Sequence, residues 1–569
     1  MQFRNFKIVF FAALLSGLDH GGVAVAADNI SRKETLYLNQ NWNDEERRRF
    51  YATPQGSYLL PYEWFLALEQ PHRDRPFISP RHIERFGYLA DDEAYTASNP
   101  DGLPIGFARE PVDNGEDWVG MTCAACHTTE ISYRGRTIRI DGAPTMGDFM
   151  TFEKSLIQAL RETLAQPEKF DRFARAVLND SAEANKAVLR AEVSDRLDWL
   201  TQFDARSTPT HPYGYGRVDA FGIIMNEVFG RDLQQPGNVH TPDAPVSYPF
   251  LWTSPHLDFV QWNGSANNPF ARNVGEVLGV FGGVNLTGSL AELGRSTARP
   301  REMFELERLL GSLAAPQWPV LALGPIDSEK AARGRALYTA WRGGEPSCEA
   351  CHALPDANGR YPMTPPDENY FGASFIKTQM VPLDEIGTDP AMALNLATRK
   401  VSTGVLAPLL PPPFTGATEI PAPALLTLLV RMAVNNGIAN AQPPFSAEEI
   451  AELIGYRIKA AGLPPYIAEN LFAYHARPLD GIWATAPYLH NGSVPNLYQL
   501  LLPPDARQQT FYVGSREFDP EAVGFRSKPG KHAFLFDASL PGNLNTGHYY
   551  GTDLTDDERW DLIEFLKTL

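Results

Sequence analysis

Cys123-Ala-Ala-Cys126-His127, matched further on by Cys348-Glu-Ala-Cys351-His352, uses all four cysteines of the 569-residue chain. Two thiols three residues apart can each add to one vinyl group of a haem, and the imidazole that follows at once lies under the iron. The pattern predicts two covalently attached c-type haems, anchored by Cys123, Cys126, Cys348 and Cys351, with His127 and His352 as iron ligands. Three other uses of the cysteines compete with this one. A four-thiolate zinc site would have to bring together pairs far apart in the chain. A redox-active pair should open a helix in a βαβ setting, and neither motif has strand-like flanks. A disulfide across three residues is strained and leaves both histidines unexplained.

The N-terminus points to the compartment. Arg4 and Lys7 precede an apolar run from Ile8 to Leu18, and Ala24-Val25-Ala26 supplies small residues before Ala27. This is the layout of a secretory signal peptide over residues 1–26, and the run is too short to span a bilayer. A periplasmic or secreted protein is expected, which agrees with c-type haem attachment on the far side of the bacterial inner membrane. Beyond Asp28 no segment reads as a stable membrane span. The remainder, 43% hydrophobic and 21% charged overall, has the composition of a globular protein. A net charge of −18 argues against nucleic acid or anionic lipid as a partner, and no lysine cluster marks a docking face for a small periplasmic electron donor.

The fold expected from these signals is mainly α, with two cytochrome c-like haem domains, long irregular insertions and little β. The domains would cover 27–320 and 321–569. In the second, Ser328 caps a helix running to Tyr338 and into the second motif, and Thr555-Asp-Asp-Glu558 is a capping box ahead of Leu562, Phe565, Leu566 and Leu569. The two helices should cross, with Gly334 allowing close approach and Tyr338 meeting Phe565. A Pro-rich stretch, Leu409–Phe414, and a helix capped by Ser446 lie in the insertion between them. In the first domain, helices are predicted over Phe152–Leu164 and Ala184–Phe203. Residues 211–281 are rich in aromatics, Gly, Pro and Asn with little periodicity, and such a stretch usually carries function.

The sixth iron ligands are less legible. In a minimal cytochrome c the second ligand comes from a loop shortly before the last helix, and His548 stands seven residues ahead of Thr555. His548 is the first candidate for the second haem, with His490 and His532 as rivals. For the first haem, Met146 and Met150 follow the motif, but helix packing explains them more simply.

Val260-Gln-Trp-Asn-Gly-Ser265, Arg272–Phe281, Tyr474-His-Ala-Arg-Pro-Leu479 and Ala486-Pro-Tyr-Leu-His-Asn-Gly-Ser-Val-Pro495 resemble, in this order, segments of the bacterial dihaem cytochrome c peroxidase superfamily. Within it they look most like the secreted rubber oxygenases and related fatty-acid dioxygenases, over roughly Asn99 to the C-terminus. The resemblance implies an oxygen-binding N-terminal haem, Trp262 as a bridge between haems, and Phe281 over the first iron. It also implies Tyr474 and Arg477 at the second haem's propionates or the domain interface. Glu276 is either an acid near the first iron or a cap for local backbone. Peroxide cleavage benefits from a distal base. No histidine occurs between His256 and His352, although His211, His240 or His256 could reach the site. Asn273–Phe281 reads as mostly apolar, which suits dioxygen and an apolar alkene substrate. The expectation is therefore an exported dihaem dioxygenase acting on a C=C bond of a polyisoprene-like compound or unsaturated fatty acid. The alternatives are a hydrogen peroxide reductase or a pure electron carrier.

Overall fold

The computed structural model describes residues 35–112, 115–179, 182–341, 344, 346–369, 372–455 and 469–569; the expected signal peptide lies outside the described residues. The helix pair that closes the chain forms as its sequence requires. Thr555 and Glu558 make the reciprocal capping box that starts Asp556–Leu566, and Asp327, one residue earlier than expected, caps Ser328–Thr339 through the amides of Glu329 and Lys330. The helices cross where Gly334 has no side chain: a Cβ there would stand 2.0 Å from the Asp561 carbonyl oxygen. Tyr338 meets Phe565 at 5.2 Å, and Arg333 grips the Asp561 carboxylate through two 2.7 Å hydrogen bonds. Tyr338 then donates to the His352 carbonyl at 2.6 Å, which fixes the second motif to the pair.

The expectation of two cytochrome c-like haem domains is corrected by the first half of the chain. Its motif is a single helical turn, Cys123–Cys126, set between strands rather than helices. Trp118–Met121 precedes it, in a sheet with Leu60–Pro61 and Phe107–Glu110. Thr128–Tyr133 follows it, paired antiparallel to Arg136–Asp141, which takes Thr35–Tyr37 in parallel on its other edge. The described residues form seven small sheets in all. Their longest strands have six residues and are buried at four consecutive positions, so they show no alternation of period two. One continuous core, moreover, holds Trp42, Ile138 and Trp252 together with Trp318, Tyr338, Trp483 and Phe565, so the surroundings of the two motifs are not separate hydrophobic units.

Helical expectations in the first half hold with longer limits, Phe149–Ala165 and Ala182–Ser207. Met146 and Met150 are buried in cores. The stretch 211–281 is more regular than its composition suggests. It contains Ala220–Met225, a π-helical segment Asn226–Asp232, and Pro269–Gly279, whose start is set by Pro269 and by Asn268 accepting from the Ala271 amide. The Ser446 capping box also forms, starting Ala447–Ile454. The 19-residue helix Ala422–Asn440 is long and apolar enough to cross a membrane, contrary to expectation. Here it is a core helix, packed on Pro269–Gly279 with Leu425, Leu429 and Ala433 buried.

Candidate haem sites

Each motif is one helical turn whose last residue turns a histidine outward. In the first, the Thr122 hydroxyl accepts from the Ala124 amide, and His127 donates its amide to the Cys123 carbonyl at 2.9 Å. Gly106, at φ +81°, lets the neighbouring strand pass so close that a Cβ would lie 2.0 Å from the Ala125 nitrogen. The His127 Nδ1 bonds the Pro249 carbonyl at 2.8 Å, and the His352 Nδ1 bonds the Arg477 carbonyl at 2.8 Å. With Nδ1 engaged, Nε2 is the nitrogen left for a metal, the usual arrangement for a ligating imidazole. Burial also pushes both rings toward the neutral, ligating form, His127 down to about 4.

The thiols separate the readings of the cysteines. Burial pushes Cys123 and Cys126 up to about 12 and Cys348 up to about 11. A redox-active pair needs the opposite shift, toward thiolate. All four cysteines are free, and among the described residues no three His, Cys, Asp or Glu side chains converge as a metal cluster. Cys123 lines one cavity and Cys348 with Cys351 another, which removes the zinc reading. Buried thiols beside an imidazole with one free nitrogen, on a cavity wall, are the donor set that a covalently attached haem requires.

The second motif opens on a cavity of about 1450 Å³, lined by Cys348, Cys351 and His352 and also by His548, His490 and His475. His548 lines this cavity; its Nδ1 has no hydrogen-bond partner, and burial pushes the ring down to about 3. His490 stacks on Tyr474 at 4.0 Å and is also hydrogen-bonded to the backbone of Asp389. His532 is exposed and lines neither motif's cavity, which removes it as a ligand. Tyr474 lines the cavity but gives its hydroxyl to the Asp389 carbonyl at 2.6 Å, so that group is not available to a propionate.

The first motif faces a smaller cavity, about 570 Å³, lined by Cys123 and His127. Its far wall differs from expectation. Phe281 is absent from it: just past the end of Pro269–Gly279 the chain turns through φ +58° at this residue, which throws the ring into an aromatic cluster with Phe203 at 4.9 Å and Phe149 at 5.7 Å. His211, His240 and His256 are absent from it as well, and the His256 Nε2 is engaged by the Gly311 carbonyl. The wall is not wholly apolar: beside Leu251, Val260 and Leu310, it carries Arg272, Asn273 and Glu276 from the first two turns of the helix. Gln261 donates to the Glu276 carboxylate at 2.8 Å, and Arg272 lies 4.0 Å from it while pairing with Glu307. Burial pushes the Glu276 pKa upward, opposed by the Arg272 charge and the Gln261 bond. The 40% of its side-chain surface that remains open borders the cavities. Glu276 is therefore a wall residue of the site and not a backbone cap.

Trp262, His475 and Arg477 line both cavities. The Trp262 Nε1 donates to the Ser247 carbonyl at 2.8 Å, and its own carbonyl accepts the His475 amide at 2.7 Å. The His475 Nε2 is buried without a partner. Arg477 donates to the Phe250 carbonyl at 2.9 Å and the Trp252 carbonyl at 2.8 Å, and its own carbonyl holds His352. Phe250 follows Pro249, which holds His127, so a short path of covalent and hydrogen bonds joins the two imidazoles. Sequence reasoning passed over His475 and Arg272. Both stand inside the segments carrying the resemblance, yet nothing in their spacing marks them.

Comparison with known proteins agrees with this chemistry. Residues 473–512, which supply Tyr474, His475, Arg477 and His490, match the family described as RoxA-like, cytochrome c-like. The uncharacterized protein y4iJ of Sinorhizobium fredii is 36% identical over 94% of this chain and 93% of its own length. A second uncharacterized protein of that organism, y4iM, is 36% identical over 17% of the chain and 27% of its own length. The matched segment implies c-type haem and an oxidoreductase, and the chain belongs to the family of the Sinorhizobium fredii protein y4iJ.

Proposed function

We propose that the chain is an exported dihaem c-type oxidoreductase that reduces hydrogen peroxide at the first motif and draws electrons through the second. The observation that carries this reading is the carboxyl of Glu276, held by Gln261 beside Arg272 on the wall of the cavity that contains His127. Bound at Cys123 and Cys126, the haem supplies a redox-active iron able to bind an oxygen species. Glu276 takes a proton from the proximal peroxide oxygen and delivers it to the departing one, and Arg272 offsets the negative charge that develops there. The overall reaction joins peroxide, two electrons and two protons to give two waters. A small donor protein supplies the electrons, which pass the wall built by Trp262 and His475; His352 and His548 are the side chains that would hold the second haem.

A second reading is dioxygenation of a C=C bond in an apolar substrate. The match to the RoxA-like family favours it, as does an apolar chamber adjoining Glu276. One experiment separates them. The haem-loaded chain is given either peroxide with a reduced donor, or oxygen-18 gas with oleate or polyisoprene in the presence of catalase. Peroxide consumption that Glu276→Gln abolishes supports the first reading. Label from the gas in an organic product, insensitive to catalase, supports the second and rejects the first.

A further inference from the structure

His475 lies in the strand Ala473–Ala476, which pairs antiparallel with Gln379–Pro382 and sets it opposite Met380. Arg477 follows two positions on, a spacing that puts side chains on one face of an extended chain, and both residues line the cavity of each motif. Both are buried, and each keeps one nitrogen without a partner, Nε2 on His475 and Nε on Arg477. The other guanidinium nitrogens of Arg477 donate to the Phe250 and Trp252 carbonyls and the Thr253 hydroxyl, all of them neutral. Asp480 attracts this charge but takes the Tyr361 hydroxyl instead, and among the described residues Arg477 forms no ion pair. A buried cation without a counter-ion and a buried imidazole nitrogen without a partner are each costly. Side by side on one wall, they call for a single anion. Burial and then the Arg477 charge hold His475 neutral, pushed down to about 3, so its ring has one proton to donate. Arg477 repels a metal ion from this position and attracts a carboxylate. The haem that fits the two motifs brings carboxylates of its own, on an otherwise apolar ring.

We propose that His475 Nε2 donates to a haem carboxylate held on the wall common to both cavities, and that this bond raises the reduction potential of the haem concerned. The bond offsets negative charge near the iron; without it the oxidised form gains stability. The inference rests on the covalent haem of the proposed function and not on the choice between peroxide and dioxygen. The carboxylate comes from the first haem or the second, and the experiment separates them. Spectroelectrochemical titration of the haem-loaded full-length chain follows each haem by its own absorption, the second being the one whose signal Cys348→Ala with Cys351→Ala removes. In His475→Leu the ferric-to-ferrous ratio of one haem at a fixed applied potential rises by about fivefold or more, the order of one hydrogen bond to a charged group. His475→Gln, whose amide keeps a donor there, returns the ratio toward the parent's. The redox-difference infrared spectrum reads the same bond without the leucine variant: the carboxylate stretch of the parent moves in His475→Gln. Equal potentials in the parent and His475→Leu, a shift that His475→Gln does not reverse, or an unmoved carboxylate stretch overturns the proposal. A low-spin signal that turns high-spin in His475→Leu makes His475 an iron ligand and overturns it too. Covalent haem is counted in the same samples. Fewer than two in the parent rejects the dihaem reading, and none rejects this inference as well; two haems with unmoved potentials reject this inference alone.

Discussion

The two CxxCH motifs have the same local geometry and opposite surroundings. Each ends in a histidine whose Nδ1 is held at 2.8 Å by a carbonyl. Around His352 the cavity is large, with His548 and His490 on walls of its own and His475 on the wall it shares with the first. Around His127 it is less than half that volume, and the wall carries a carboxyl, a guanidinium and an amide. Identical anchors therefore do not imply identical duties. On the proposed account, the second site closes its iron with protein and the first keeps a polar face for a small reactant.

The harshest test of the comparison removes one anchor pair. Cys348→Ala with Cys351→Ala leaves a single covalent haem after denaturation, measured as the pyridine haemochrome, whereas the parent retains two. A parent with one haem breaks the comparison outright. A milder change sharpens it. Glu276→Gln keeps both haems and lowers peroxide turnover by about 10²-fold or more, the usual contribution of a positioned acid–base group. Because burial raises the Glu276 pKa, its carboxylate form is lost as pH falls at a pH above the ordinary glutamate range. The parent's activity drops on the acid side there, and Glu276→Gln removes that limb.

Arg477→Met probes the link between the sites. It strands the Phe250 and Trp252 carbonyls and costs about 1–3 kcal/mol in chemical denaturation. It also shifts the visible spectra of both haems together, because His127 and His352 are tied through this residue; a shift confined to one haem would show that the path carries no coupling.

The chain disclosed its anchors more readily than their environment. Thr555, Glu558 and Ser446 announce helix starts through local side-chain bonds, so sequence position is enough to find them. His548 was placed by its distance from one such start. The small sheets around the first motif are invisible by comparison, since Thr128–Tyr133 and Arg136–Asp141 are each buried at four consecutive positions and so show no alternation. Phe281 failed for another reason: its address depends on one backbone turn at φ +58° and not on its apolar character. Glu276 and Arg272 fall in a segment whose average reads as apolar, and only the helix from Pro269 shows that these two residues share a face four positions apart. The partner-free His475 Nε2 is a tertiary fact with no local signal.

The central claim is the asymmetry between the two irons, and cyanide titration of the oxidised, haem-loaded chain tests it most directly. The account predicts one cyanide bound per chain, with a low-spin signal from the second haem that persists in the parent and becomes high-spin or cyanide-binding in His548→Ala. Two cyanides bound by the parent, none bound, or a low-spin signal indifferent to His548→Ala would contradict it.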